Sequence, residues 1–167
     1  MAPVAARRER SLTEWVVLGL IAEGPTHGFA LARLLARGGE VGRVWAATRP
    51  LTYRAIDQLA ADGLIEPVRT EPGAGPPRTV HRATTAGRRA LRRWLSQPVA
   101  HPREVRAELL VKLLLLERAG KPTAALLQAQ REAFGELLGA ARRPPAGDSV
   151  SRWRMEQAAA IDRFLQG

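Results

Sequence analysis

The chain has 167 residues, a formal net charge of +10, 46% hydrophobic residues and no cysteine. Such a length and apolar content support a buried core for one domain plus a helical extension. The lack of cysteine excludes a disulfide framework, a thiolate nucleophile and Cys-ligated zinc, and fits a reducing cytoplasm without requiring one. The charge is uneven: residues 1–97 hold 15 Arg or Lys against 8 acids, and residues 98–167 hold 11 against 8. An excess of this kind is the footprint of a protein that meets phosphates, although an Ala/Arg/Gly/Pro-biased composition also produces one.

Residues 1–10 carry three arginines and no apolar run of the secretory kind, and are expected to be a disordered basic arm. From residue 11 to 22 the apolar positions Leu12, Trp15, Val16, Leu18, Leu20 and Ile21 follow helical spacing, with Ser11 as cap and Glu14 completing a capping-box pattern. Gly24-Pro25 breaks this first helix. Thr26 is the expected cap of a second, carrying Phe29, Leu31, Leu34 and Leu35 up to Gly38-Gly39. Thr48 is the expected cap of a third, where Pro50 is tolerated in the first turn and Leu51, Ala55, Ile56 and Leu59 form one stripe.

Gly63 ends that helix, and residues 64–69 and 78–83 read as two strands around the Pro/Gly-rich tip of residues 71–77. Thr84-Thr85 precedes a fourth helix with Leu91, Trp94 and Leu95 inward and Arg88, Arg89, Arg92 and Arg93 outward. Pro98 and Pro102 mark a joint, beyond which helical patterns occupy about residues 103–118, 122–141 and 149–166. The apolar run 109–116 is interrupted by Lys112 and is far shorter than the roughly 18–20 residues that span a bilayer, so no membrane segment is expected.

The expected fold class is mainly α. A winged helix-turn-helix domain over residues 11–97, made of three helices and a two-stranded β-hairpin wing, precedes an α-helical dimerisation arm over residues 98–167.

Three strings carry a family resemblance. Gly24-Pro25-Thr26-His27-Gly28-Phe29-Ala30-Leu31 resembles the G-P-x-H-G-Y-x-L signature of the PadR family of transcriptional regulators. Trp45-Ala46-Ala47-Thr48-Arg49-Pro50-Leu51-Thr52-Tyr53 is similar to its W-x-x-S-x-G-x-L-Y. Pro77-Arg78 with Thr84-Thr85-Ala86-Gly87-Arg88 through Trp94-Leu95 is similar to the family's run over the wing and the next helix. The resemblance covers residues 12–97 and implies a DNA-binding regulator, most often a repressor, that dimerises through its C-terminal helices. Pro50, Arg54, Ala60 and His81 depart from the pattern, and because they touch the reading helix the operator is not carried over from relatives.

On this reading the third helix enters the major groove. Arg49, Thr52, Tyr53, Arg54 and Gln58 face double-stranded DNA, since Arg and Gln pair bidentately with guanine and adenine; the bland alternative is a solvated helix face. Arg69 and Arg78 flank the wing tip and suit a phosphate or the minor groove. His27 has no partner at metal spacing and is expected to start the second helix with a backbone hydrogen bond. Trp15, Trp94 and Trp153 are the candidate lining of a cavity for a small hydrophobic or aromatic effector, as the family's response to phenolic acids and lipophilic drugs implies, with core packing as the alternative.

Val150, Trp153, Ile161, Phe164 and Leu165 form an apolar stripe assigned to a homodimer interface, the alternative being a last helix folded back over residues 144–147 onto its own winged domain. No cofactor is expected. An enzyme fails on inventory, with no paired carboxylate motif, no G-x-G-x-x-G after a strand and no metal cluster. A nonspecific or RNA-binding protein is disfavoured by the lone tyrosine and the lack of a stacking sheet.

Overall fold

The computed structural model describes residues 9–73, 75–140 and 147–166. Most of the expected basic arm, residues 1–8, and most of the Pro/Gly linker at 144–147 lie outside the described residues. Two compact units divide the chain, one up to Leu91 and one from Arg92.

In the first unit α1 (Leu12–Glu23) starts where Ser11 accepts the Glu14 amide at 3.3 Å. Val16, Val17, Leu18, Leu20 and Ile21 are all buried, so this helix is enclosed nearly all round rather than along one stripe. The segment β1 (Thr26–His27) follows and leads directly into α2 (Gly28–Leu35). The cap of α2 is therefore His27 and not Thr26: its Nδ1 accepts the Ala30 amide at 3.2 Å, as expected of a histidine bonded to backbone. An accepting Nδ1 places the ring proton on Nε2.

Packing of α3 (Arg49–Ala61) on α1 and α2 completes the three-helix core. It ends in a Schellman-type turn: Leu64 donates to the Leu59 carbonyl at 2.9 Å, Gly63 donates to Ala60 at 3.0 Å, and Gly63 has φ +68°, which glycine adopts without a Cβ penalty.

The wing is the antiparallel pair β2 (Ile65–Glu71) and β3 (Arg78–Ala83). A third strand joins the expected two. β1 pairs with the other side of β3, Thr26 opposite His81 and His27 opposite Val80, giving the order β1-β3-β2. Pro67 lies in β2, an edge strand, and the register slips between Pro67 and Arg69, as suits a residue that cannot donate to the ladder and a bulge beside it. Thr84 accepts the Gly87 amide at 3.0 Å and donates to the Gly63 carbonyl at 2.8 Å, tying the start of α4 (Thr85–Ser96) to the end of α3.

In the second unit a 3-10 turn (Pro102–Glu104) and a π turn (Val105–Leu109) run into α5 (Leu110–Arg118), where the sequence suggested one helix. The pattern at 122–141 resolves into α6 (Ala124–Ala133) and α7 (Gly135–Ala140), and α8 (Ser149–Gln166) follows. Val99, Val105, Leu109, Leu113, Leu126, Phe134, Leu138, Ile161 and Leu165 form the core of this unit. Among the described residues no helix is long and apolar enough to cross a membrane.

Candidate nucleic-acid interface

The buried face of α3 consists of Thr52, Ala55, Ile56 and Leu59, at spacing i, i+3, i+4, i+7. This corrects two expectations. Thr52 is 0% exposed and its hydroxyl donates to the Thr48 carbonyl at 3.1 Å, so it does not face DNA; Leu51, expected inward, is 44% exposed. An internal acceptor one turn back lets the threonine enter the core with its polar atom satisfied.

The same rotation leaves Arg49, Tyr53 and Arg54 on the exposed side. Gln58 is half-buried and donates to Asp62 at 3.0 Å, and the same carboxylate receives Arg10 at 3.1 Å. On the wing, Arg69 is already paired with Glu71 at 2.7 Å. Arg78 has a different setting: its guanidinium lies 4.6 Å from the centre of the Phe29 ring. Arg49 lies 5.5 Å from the same ring and 5.8 Å from that of Tyr53. The structure thus brings together Arg49, Tyr53 and Arg78 around Phe29, a residue the sequence placed in the second helix and in the family-like string but not among the DNA-facing residues.

Gly28 leaves room for the tyrosine ring against the start of α2: a Cβ there would lie 2.7 Å from Cε1 of Tyr53, so a larger residue would make that ring shift. Between α3 and the wing lies a cleft of about 530 Å³ whose lining includes Phe29, Arg49, Tyr53, Ile56, Arg78 and His81. Burial pushes the His81 imidazole below its ordinary pKa of 6.5, against the nearby Asp57 carboxylate and a backbone hydrogen bond at Thr79. Its Nδ1 is buried and has no hydrogen-bond partner among the described residues.

Residues 17–93 match the family described as transcriptional regulator PadR-like. They form a PadR-like domain. No curated protein matches the chain. Among solved structures, the chain is similar to Bacillus subtilis PadR in complex with operator DNA, with TM-score 0.51, 18% identity and coverage of 93% of this chain and 94% of that one. It is also similar to Bacillus subtilis PadR in complex with p-coumaric acid (TM-score 0.47, 17% identity, 96% and 95% coverage). A third is smu.1604c from Streptococcus mutans UA159 (0.46, 16%, 92% and 95%). At these identities the likeness is one of fold. In the PadR-like domain of this chain, the exposed face of α3 and the base of the wing carry the cations that the winged-helix architecture turns outward.

The three tryptophans named for an effector cavity have separate settings. Trp15 is half-buried with Arg10 5.4 Å from its ring centre, Trp94 is buried with the Lys112 ammonium 4.8 Å from its ring, and Trp153 is 67% exposed. The stripe on α8 divides. Ile161 and Leu165 are buried in the core of their own unit and are spent there, whereas Val150, Trp153 and Phe164 are exposed. Among the described residues no group of three or more His, Cys, Asp or Glu is arranged to hold a metal ion.

Proposed function

We propose that the chain is a cytoplasmic, sequence-specific DNA-binding repressor that binds a palindromic operator as a homodimer. The observation that carries this reading is the outward face of α3 in a PadR-like domain, where Arg49 and Tyr53 line one cleft with the wing arginine Arg78 and Arg54 is exposed on the same helix. Arg49 and Arg54 take base edges or phosphates in the major groove, and Arg78 takes the neighbouring backbone. The operator complex of Bacillus subtilis PadR supports the assignment of duplex DNA as the partner. The division of labour follows the two expected regions, residues 11–97 for DNA and 98–167 for the dimer.

Dimerisation rests on Val150, Trp153 and Phe164, large apolar side chains left exposed on α8. A second copy burying them across a two-fold axis sets two reading helices about one turn of DNA, roughly 34 Å, apart. Since α8 also gives Ile161 and Leu165 to the core of its own unit, removing the helix would unfold the arm. Trp153→Glu is the cleaner test. Sedimentation of the protein and its complex with an operator selected from the promoter beside its gene should give a dimer for the parent and a monomer with greatly weakened operator binding for Trp153→Glu. A Trp153→Glu protein that stays dimeric removes this face from the interface, and a parent that prefers no duplex sequence over another refutes the regulator.

The resemblance to regulators that answer phenolic acids and lipophilic drugs extends the reading to release by a small hydrophobic or aromatic effector. Adding a panel of phenolic acids to the operator complex tests it, with release at ligand concentrations that leave the free protein folded as the expected result.

A further inference from the structure

Three elements that are distant in the chain meet at one aromatic ring. Phe29 stands in the first turn of α2, Arg49 opens α3 and Arg78 opens β3. The guanidinium of Arg78 is 4.6 Å and that of Arg49 5.5 Å from the Phe29 ring centre, close enough for the ring quadrupole to attract both. Two cations bound to one ring are within about 10 Å of each other, which is near the screening length of physiological salt, so they repel unless something between them compensates. The ring face supplies part of that compensation, and an incoming phosphate supplies the rest.

We propose that Phe29 is a positioning residue for DNA binding: its ring holds the reading-helix arginine and the wing arginine in one pre-oriented pair, so that helix and wing engage the duplex backbone as a unit. The inference rests on the DNA-binding reading above and adds to it the residue that couples its two halves. Arg and Lys side chains lose several rotamers when they bind, and a guanidinium already stacked on a ring has lost part of that freedom beforehand. Phe29 itself has no donor or acceptor for a base or phosphate, so its contribution passes through the two arginines.

Phe29→Leu keeps an apolar side chain and deletes the π face; Phe29→Tyr keeps the face. Duplex binding is measured for both, for Arg49→Ala and Arg78→Ala, and for each arginine variant combined with Phe29→Leu. The side-chain Nε–H resonances of Arg49 and Arg78 in the DNA-free protein report ring-current shifts without reference to binding. The expected result is about three- to tenfold weaker binding for Phe29→Leu, near-parent binding for Phe29→Tyr, and combined losses smaller than the product of the separate ones. The ring-current shift at Arg78 should be present in the parent and Phe29→Tyr and absent in Phe29→Leu, and that at Arg49 should fall in Phe29→Leu to the part supplied by Tyr53, whose ring centre is 5.8 Å away.

A parent Arg78 resonance without a ring-current shift would overturn the proposal whatever the variants do, including a Phe29→Leu protein that fails to fold. Full affinity in Phe29→Leu alongside weakened arginine variants would also overturn it while leaving the DNA-binding reading intact. Unchanged binding in both Arg49→Ala and Arg78→Ala would instead refute these two arginines as DNA contacts, and the role of Phe29 with them.

Discussion

The ammonium of Lys112 lies 4.8 Å from the centre of the Trp94 ring, and the lysine side chain is only 1% exposed. It donates to the Gln97 carbonyl at 2.8 Å and pairs with Glu108 at 2.7 Å, so three different acceptors replace its water. The residue that interrupts an apolar run in the sequence is thus an anchor between the end of α4 and α5. Lys112→Met preserves most of the volume but strips the Gln97 carbonyl of its donor, at a cost of about 1–3 kcal/mol. Urea unfolding followed by tryptophan fluorescence checks this, and an unchanged midpoint would mean that the carbonyl finds water.

Arg49→Ala and Arg54→Ala should weaken duplex binding without loss of folding, because both side chains are exposed while Ala55, Ile56 and Leu59 hold the helix. A phosphate contact lowers the salt slope of log K by close to one unit, and a base contact relaxes base preference. Thr52→Val should do neither. It removes the hydrogen bond to Thr48 and costs roughly 0.5–1.5 kcal/mol of stability, read by thermal unfolding. A change of base preference in Thr52→Val would return that residue to the reading face.

On the wing, Arg78→Ala should reduce affinity for all duplexes alike, since the Pro/Gly tip brings no base-edge readers of its own. Arg69→Ala should have a smaller effect because that guanidinium is already engaged by Glu71. Fluorescence anisotropy with operator and scrambled duplexes separates the two. Equal losses for both variants would show that Glu71 releases Arg69 to DNA.

Gln130, fully buried, clasps one residue of the α4–α5 connection: its Oε1 accepts the Val99 amide at 2.7 Å and its Nε2 donates to the Val99 carbonyl at 3.0 Å. Gln130→Leu leaves both backbone groups buried without partners and should cost about 2–5 kcal/mol in denaturant unfolding. A loss under about 1 kcal/mol would mean that the connection moves out to solvent instead.

His81 gives the first unit a pH dependence. Burial lowers its folded pKa below the unfolded value of 6.5, so the fold favours the neutral ring. That contribution is fully present above pH 6.5 and is lost as pH falls from there through the depressed folded value, because the unfolded chain binds the proton more readily. Thermal midpoints should therefore decline on acidification below pH 6.5, and His81→Gln should flatten that decline. The same slope in both proteins would assign it to other groups.

What the sequence determined by itself was local. Ser11 before an apolar run, Gly63 after one and Thr84 before another mark helix ends by hydrogen-bonding and backbone rules that act within a few residues, and the Pro/Gly tip between two short strands marks the hairpin. His27 was legible too, since a capping histidine needs only the amide three residues on. The tertiary structure decided which face each element turned inward. Helical periodicity allows both Leu51/Ala55/Leu59 and Thr52/Ala55/Ile56/Leu59, and hydropathy favours the first; the surface offered by α1 and α2 selects the second, with the Thr48 carbonyl absorbing the hydroxyl. β1 has no signal of its own because two residues become a strand only when β3 presents a free edge. Nor does any local pattern announce that Phe29, Arg49 and Arg78 share one ring, or that Ile161 and Leu165 serve their own core while Trp153 on the same helix stays exposed. Contacts between residues far apart in the chain exist only once the chain has closed its loops, and spacing along one element carries no record of them.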